Sequence, residues 1–550
     1  MNIDLYKKIL YEHTSIKSSI VIDKTKSFTF DKEFNEELEI GFIPNGTTHL
    51  TFNSKFNKSL KKDVIPHSVT HLTFGENFNQ VLKKDVIPHN ITHLKFGKNF
   101  NQKIEKDVIP HSVIDLNFGL SFNRVLKPNI IPNSVKYLNL GYCFNSKLKK
   151  TSIPHSVTHL KFGYNFEDLL NDEKLGKEVE DLFFGSRFNQ ILKVGNIPNS
   201  VTHLYLSDHF NQKLEANVIP NSVQYIKFGY NFNQPLKNGS IPNSVLHLEL
   251  SVLFNQPLII GSIPNSIKYL DMGTEFNKKL NKDIIPNSVT TLKFSSNYDI
   301  PLKEHDIPYG VKYLTLAQKF NYPLNKLSIP HSVTHLTFGS YFNQVIKAGV
   351  IPNSVTHLTF GLRFDQPLRK DVIPESVTHL KFGNMFNQPL EEGFIPKYVI
   401  YLSFGKYFNQ EIQKDVIPNN VMFLSFLNNF KKILNDDNIP NKLIELTLYN
   451  KYNFNLLNIN KNILISKLTY DEIDNFFHKK YSLLINNTII LTHTDKEYID
   501  KFINENIMYK KLFGLIILEE LVKKVLNPDR LQRFAKMHNL DFDDYIDLSL

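Results

Sequence analysis
The chain has 550 residues, 41% of them hydrophobic, a net charge of +10 and a single cysteine, Cys143. One cysteine excludes a disulfide framework and fits a reducing compartment. No apolar run with a cleavage site follows Met1, and no stretch of about 18 apolar residues occurs, so neither a secretory signal nor a transmembrane helix is expected. The charge is mild for this length, and Lys, Asn, Ile and Phe are heavily used while Trp is absent. The lysine excess therefore reads as compositional bias rather than a nucleic-acid footprint.

Residues 1–20 precede any repeat and are read as an N-terminal cap. An incomplete repeat follows, with Phe28, Phe30, Phe34-Asn35 and Leu38 in phase. From Ile43-Pro44 the Ile-Pro pair then recurs every 22 residues as far as Ile439-Pro440, replaced once by Leu175-Gly176. A fixed period without insertion is the mark of stacked coils, because one added residue in the packed part would push every ladder out of line. Residues 21–455 are accordingly assigned to a repeat solenoid.

The coil at 65–86 reads IPHSVTHLTFGENFNQVLKKDV. Val69–Phe74 is β-branched and alternating, which predicts a half-buried strand. Leu72 and Phe74 share the inner face, and His71 and Thr73 the outer one. Gly75 is expected to open a turn with positive φ. Phe78 returns to the core, and the Asn79 amide is expected to cap backbone groups and to bond the same amide one coil along. Lys83-Lys84-Asp85 reads as a solvated edge. Pro66 fixes φ and lacks an N–H, so the return leg is not a helix interior.

The outward position at the start of each strand is the candidate functional row. It is histidine at His49, His71, His93, His159, His203, His247, His335, His357 and His379. It is tyrosine at Tyr137, Tyr225, Tyr269, Tyr313 and Tyr401, with Asp115, Asp181, Thr291, Phe423 and Glu445 as exceptions. Parallel strands stand about 4.8 Å apart, so these rings should stack. Three readings are open: a ladder that stabilises the sheet, an aromatic surface for a protein partner, or stacked metal ligands. Zinc demands tetrahedral closure, which a flat row interrupted by tyrosine does not offer. No metal and no cofactor is expected. The position two residues on varies (Thr73, Lys95, Asn117, Phe183, Tyr205, Glu249, Asp271, Lys293), as a specificity surface requires. Around 167–184 the pattern gains acids, Glu167, Asp168, Glu180 and Asp181, and reads as a decayed repeat or a partner site. The lysine pairs at 61–62, 83–84 and 149–150 form a mixed solvated ridge rather than a phosphate track.

Beyond residue 455 the rhythm stops. Thr469-Tyr470-Asp471-Glu472 and Thr494-Asp495-Lys496-Glu497 fit capping boxes. A third helix is expected near 506–526, and Asn527-Pro528-Asp529 opens another. Residues 456–550 are thus read as a small α-helical cap or module. No G-x-x-x-x-G-K-[ST], H-E-x-x-H, G-x-S-x-G or C-x-x-C occurs. Recurring Ser and His, as in His155-Ser156-Val157-Thr158-His159, are a coil feature, and no catalytic residue and no enzyme are expected.

The pattern Ile-Pro-x-Ser-Val-x-x-Leu-x-Phe-Gly-x-x-Phe-Asn-Gln-Pro-Leu, clearest in NSVLHLELSVLFNQPL (243–258), resembles the FNIP repeat. The resemblance implies a relative of leucine-rich repeats, known from social amoebae and from giant DNA viruses that infect amoebae. The final segment, 527–550, looks like the tails of other giant-virus proteins. Many family members place an F-box before the repeats, which implies recruitment to a ubiquitin ligase; the first 20 residues here are too few for one. Some bacterial leucine-rich-repeat proteins carry a cysteine-dependent ligase domain after the repeats, but residues 456–550 contain no cysteine.

The sequence thus predicts a leucine-rich-repeat-like solenoid, mainly β, with one long parallel sheet of about 20 coils and an α-helical C-terminal unit. Its function is read as non-catalytic protein recognition by a monomeric scaffold or adaptor, with an unidentified host or viral protein as partner. The location is read as intracellular, in host cytoplasm or virion. No membrane, nucleic acid or disulfide is called. A basic nucleic-acid-binding or virion-associated scaffold is the alternative, and a ubiquitin-ligase adaptor follows only by family analogy.

Overall fold
The computed structural model describes residues 21–22, 26–168, 175, 177–427, 430–449, 457–458, 464–468, 483–485 and 489–491. The chain divides into two compact units, 1–300 and 301–550.

In the first unit, thirteen three-residue strands run from Ser27–Thr29 and His49–Thr51 to Thr291–Lys293. Each lies parallel to the next, and every partner is 22 residues on: His49 faces His71, which faces His93, and Leu50, Leu72 and Leu94 follow suit. Val21–Ile22 pairs antiparallel with Ser27–Thr29 and covers the edge of the first strand. In the second unit the same parallel register links Tyr313–Thr315 through successive coils to Glu445–Tyr449. Leu464–Leu468 adds a further parallel strand outside the 22-residue step, with Leu464 opposite Glu445.

The strands are shorter than the alternation of Val69–Phe74 suggests. Val69 N–H closes a turn onto the Pro66 carbonyl (3.1 Å), so the ladder begins only at His71. Beyond the strand, Phe74 N–H donates to the Lys95 carbonyl (2.8 Å) and Phe78 N–H to the Gly75 carbonyl (3.2 Å). The chain then returns to the next strand through turns. The described residues contain no helix.

That last point changes the reading of the C-terminal segment. Leu464–Leu468, Leu483–Ile485 and Ile489–Leu491 are strands, the last two paired antiparallel. The sequence signal is LLINNTIIL (483–491), apolar runs on both sides of an Asn pair, which is a hairpin pattern. Both capping boxes, the expected helices beyond 491 and the N-terminal cap at 1–20 lie outside the described residues.

Burial follows the repeat. Leu72, Phe74 and Phe78 are at most 2% exposed. The incomplete first coil is built likewise, with Phe28, Phe30, Phe34 and Leu38 all buried. Phe78, Phe100, Phe122, Phe144 and Phe166 form a column with ring centroids 6.0–6.3 Å apart. Phe320, Phe342, Phe364, Phe386, Phe408 and Phe430 repeat it in the second unit at 6.1–6.3 Å. A buried Phe contributes about 1.5–3 kcal/mol before entropy is subtracted, so each column ties many coils that could not fold singly.

The Asn row differs from expectation in one respect. Its side chain accepts the backbone N–H of the next Asn, Asn79 N–H to Asn57 Oδ1 and Asn57 N–H to Asn35 Oδ1, each at 2.9 Å. Gln80 Nε2 joins at 3.0 Å. The amide therefore fixes the neighbouring coil's backbone rather than pairing with its own copy.

Gly75 also has another reason than the one expected. Its φ is not in the left-handed region; instead a Cβ there would stand 1.5 Å from the Asn53 carbonyl oxygen of the preceding coil. Positive φ falls on the return leg, at Asp63 (65°), Asp85 (67°) and Asp107 (63°), and at Gly195 and Gly239 in the same register. Asp tolerates this conformation better than most residues, which gives the Lys-Lys-Asp edge a backbone role. Thr151 holds that register at φ 60°, a poor place for a β-branched side chain. Thr151→Gly is expected to stabilise the protein by about 1 kcal/mol, read as a rise in the urea midpoint.

Candidate recognition surface on the strand face
Alternation along each three-residue strand turns the first and third side chains outward and the second into the core, and burial follows this pattern at His71-Leu72-Thr73. The rings of the outward row do stack. His49, His71 and His93 lie 4.1 Å apart in succession, and His335, His357 and His379 lie 4.0 and 4.1 Å apart. Tyr225 stacks on His247 at 4.6 Å and His247 on Tyr269 at 3.9 Å, while Tyr137 meets His159 at 4.4 Å and Tyr313 meets His335 at 4.5 Å with their rings tilted by 34° and 36°. The looser neighbours are His203 and Tyr225 at 5.7 Å, and His379 and Tyr401 at 6.1 Å.

The preceding threonine holds eight of the nine histidines in place; His247 follows Leu246 instead. Thr70 Oγ1 lies 2.9 Å from His71 Nδ1, and Thr356 Oγ1 lies 2.9 Å from His357 Nδ1. The same contact recurs at His49, His93, His159, His203, His335 and His379. The Thr-His pair is plain in the sequence, but its bond shows only in the structure.

One exception in the row, Asp181, proves to be a connector. Asp181 receives His159 Nε2 at 3.0 Å and His203 Nδ1 at 3.1 Å, so the acid of the apparently decayed coil bridges two rings. Residues 169–174 and 176 of that coil lie outside the described set. Glu249, on the other outward position, joins two adjacent coils: Tyr225 Oη donates to it at 2.7 Å and Lys227 Nζ lies at 2.8 Å, both from the preceding strand, and His247 Nε2 of its own strand lies at 3.2 Å. Burial works to raise the Glu249 carboxyl, but the bonds from His247, Lys227 and Tyr225 outweigh it and hold it at about 2. Burial, then the Glu249 hydrogen bond, pushes the Tyr225 phenol up, and burial with the nearby Asp271 and Glu249 charges pushes Tyr269 up to about 12. Phe183 and Tyr205 stack at 3.8 Å, and Lys293 meets Asp271 at 2.8 Å. Burial raises the Asp115 carboxyl.

Two histidines titrate in opposite senses. His71 is pushed below 6.5 by burial and by the His93 and His49 charges beside it. His203 is raised above 6.5, first by its bond to Asp181. On acidification His203 is expected to protonate before His71, which Cε1 proton shifts in a pH-titrated NMR series will order. The linkage signs differ accordingly. The stability that His71 carries is present above pH 6.5 and is lost as pH falls through that value toward its lower folded pKa. That of His203 is full below 6.5 and fades as pH rises through its higher folded pKa.

Among the described residues no group of three or more His, Cys, Asp or Glu is placed to hold a metal ion. Among them, too, no helix is long and apolar enough to cross a membrane. Along the C-terminal ends of the strands run two grooves in the first unit, one of about 730 Å³ between Phe52 and Ser186 and one of about 510 Å³ between Lys161 and Ser296.

A row of this geometry, repeated coil by coil, invites comparison with known repeats. The FNIP repeat profile matches ten segments between residues 34 and 451, the first 34–77 and the last 408–451. This chain belongs to the FNIP repeat family. Its FNIP coils align with a solved structure described as that of CroV588, a novel circular leucine-rich-repeat protein, from a giant virus. The two are 35% identical over 80% of this chain and 68% of that one, with a TM-score of 0.70. The FNIP chain is thus a leucine-rich-repeat-like parallel solenoid, a scaffold type of fold. A leucine-rich-repeat protein from Bacteroides ovatus aligns over 80% of this chain and 95% of its own at 12% identity and a TM-score of 0.15, a likeness that carries no argument. No curated protein matches the chain.

Proposed function
We propose that this FNIP repeat protein is a non-catalytic scaffold that recognises another protein through its outward His/Tyr rows. The observation that carries the reading is the row's preparation. Eight histidines are each held by the hydroxyl of the preceding threonine, and most lie against a neighbouring ring within 5 Å. Rings already fixed lose little freedom on binding, and flat, partly polar side chains favour protein contacts. The partner is a host or viral protein met inside the infected cell, by analogy with the viral relative, and the scaffold acts as a monomer.

The test is affinity capture from amoebal lysate with three chains. One is wild type, one carries His335→Ser, His357→Ser and His379→Ser, and one carries His67→Ser, His89→Ser and His111→Ser on the return legs. All three should give the same circular dichroism. Recovery of a specific partner is expected to fall at least tenfold with the strand-face variant alone. Equal recovery by the strand-face variant, or loss only from the return-leg variant, would overturn the reading.

A further inference from the structure
The groove beside the first coils differs chemically from its neighbour. Its floor is backbone and buried phenylalanine, because the glycines from Gly75 to Gly163 put no side chain into it. These glycines are there because the coils approach so closely that a Cβ on Gly97 would meet the Gly75 carbonyl oxygen at 1.7 Å. Close stacking thus leaves an open trough. Lys95, Lys98 and Lys161 line it and all three are exposed, whereas Glu76 is the one acid among its described lining residues. None of the three lysines makes an ion pair among the described residues. In the adjoining groove, which shares Lys161 at its border, the further lysines in the register of Lys95 are neutralised, Lys227 by Glu249 and Lys293 by Asp271, each at 2.8 Å. One stretch of a single repeated surface has been left with its positive charge uncompensated. The far rim adds Tyr142 and Tyr164, stacked at 4.5 Å.

We propose that this trough binds an extended acidic peptide segment, running along the stack of coils, in a partner of the kind inferred above; the inference rests on that reading. The spacing gives the ligand a pattern. Lys161 stands three coils from Lys95, a distance of about 14 Å at about 4.8 Å per strand. An extended peptide rises about 3.4 Å per residue, so carboxylates about four residues apart reach both ends. The low charge-neutralising cost of open backbone and the unpaired ammonium groups favour carboxylates, while the paired tyrosines supply apolar cover between them.

The test is fluorescence anisotropy with labelled ten-residue Ser/Gly peptides. One carries two Glu four residues apart, a second carries the same two Glu adjacent, a third has Lys in their place, and a ten-nucleotide oligo-dT serves as a nucleic-acid probe. The spaced acidic peptide is expected to bind best. Lys95→Glu with Lys98→Glu and Lys161→Glu should weaken it at least tenfold. Lys147→Glu with Lys213→Glu and Lys279→Glu, matched in charge but outside the groove lining, should leave it within twofold. Equal binding to the groove variant, or no preference between the acidic and lysine peptides, overturns the proposal. So does tighter binding of oligo-dT with a steep loss between about 50 and 200 mM salt, which marks a nucleic-acid groove instead. If peptide binding fails while the histidine variant still loses its captured partner, the groove assignment falls and the strand-face reading stands.

Discussion

Phe122→Ala is expected to lower stability by about 3–5 kcal/mol, the range for emptying a fully packed aromatic site. The ring is 0% exposed. It stacks 6.2 Å from Phe100, 6.1 Å from Phe144 and 4.1 Å from Phe118 within its own coil. The coils on either side cannot close over the void. Their strands are locked in register, Leu116 opposite Leu138, and Asn123 N–H is tied to Asn101 Oδ1 at 3.0 Å. In a stacked array each coil is stabilised by its nearest neighbours, so the damage should be local. Urea unfolding gives the magnitude, and amide hydrogen exchange should open first between about residues 96 and 148, with coils near residue 250 little changed.

Gly119→Val is expected to cost more, above about 4 kcal/mol, and to break the stack at that coil. The cause is not φ, which is ordinary there. A Cβ would sit 1.6 Å from the Gly97 carbonyl oxygen, and backbone cannot swing aside as a side chain can. Coils at Ser207 and Ser251 do hold a side chain in this register, and its hydroxyl bonds the carbonyls of Phe188 and Phe232. A small polar side chain is therefore housed where the coil is shaped for it, while a branched apolar one has neither room nor partner. Ser207→Gly, which only deletes that bond, should cost about 1 kcal/mol and serves as the reference in the same urea series.

These two positions show how far the sequence could be read. The column of Phe122 was legible because its aromatic character survives at a fixed interval of 22 residues, and a solenoid is the only common way to use such a period. The strand and its two faces followed from alternation. The role of Gly119 was not legible, since a glycine kept for close approach looks the same in sequence as one kept for positive φ. The left-handed residue could have been found: one register carries Asp63, Asp85, Asn129, Gly195 and Gly239, the residue types that tolerate it best. The role of Glu249 is not legible because it stands at the variable outward position, although Tyr225 and His247 belong to the periodic row beside it. Asp181 belongs to a stretch that reads in sequence as a decayed repeat or a partner site, yet its place between His159 and His203 follows from the register alone. The LLINNTIIL hairpin lies beyond the Phe column, where no 22-residue period marks its strands and the capping boxes on either side point to helix.

The recognition claim is tested most directly by the chain's own histidines. Two sets alternate along it: the strand-face row, and His67, His89, His111, His155, His305 and His331 on the return legs. Return-leg members have their own acids, with His67 Nε2 3.6 Å from Asp63 and His89 Nε2 3.6 Å from Asp85. Diethyl pyrocarbonate labelling of the captured complex, read by mass spectrometry against the free protein, compares the two sets in one experiment. The partner is expected to shield at least three adjacent members of the strand-face row and to leave all six return-leg histidines as reactive as before. Shielding confined to the return legs would contradict it and move the interface to the opposite side of the coils.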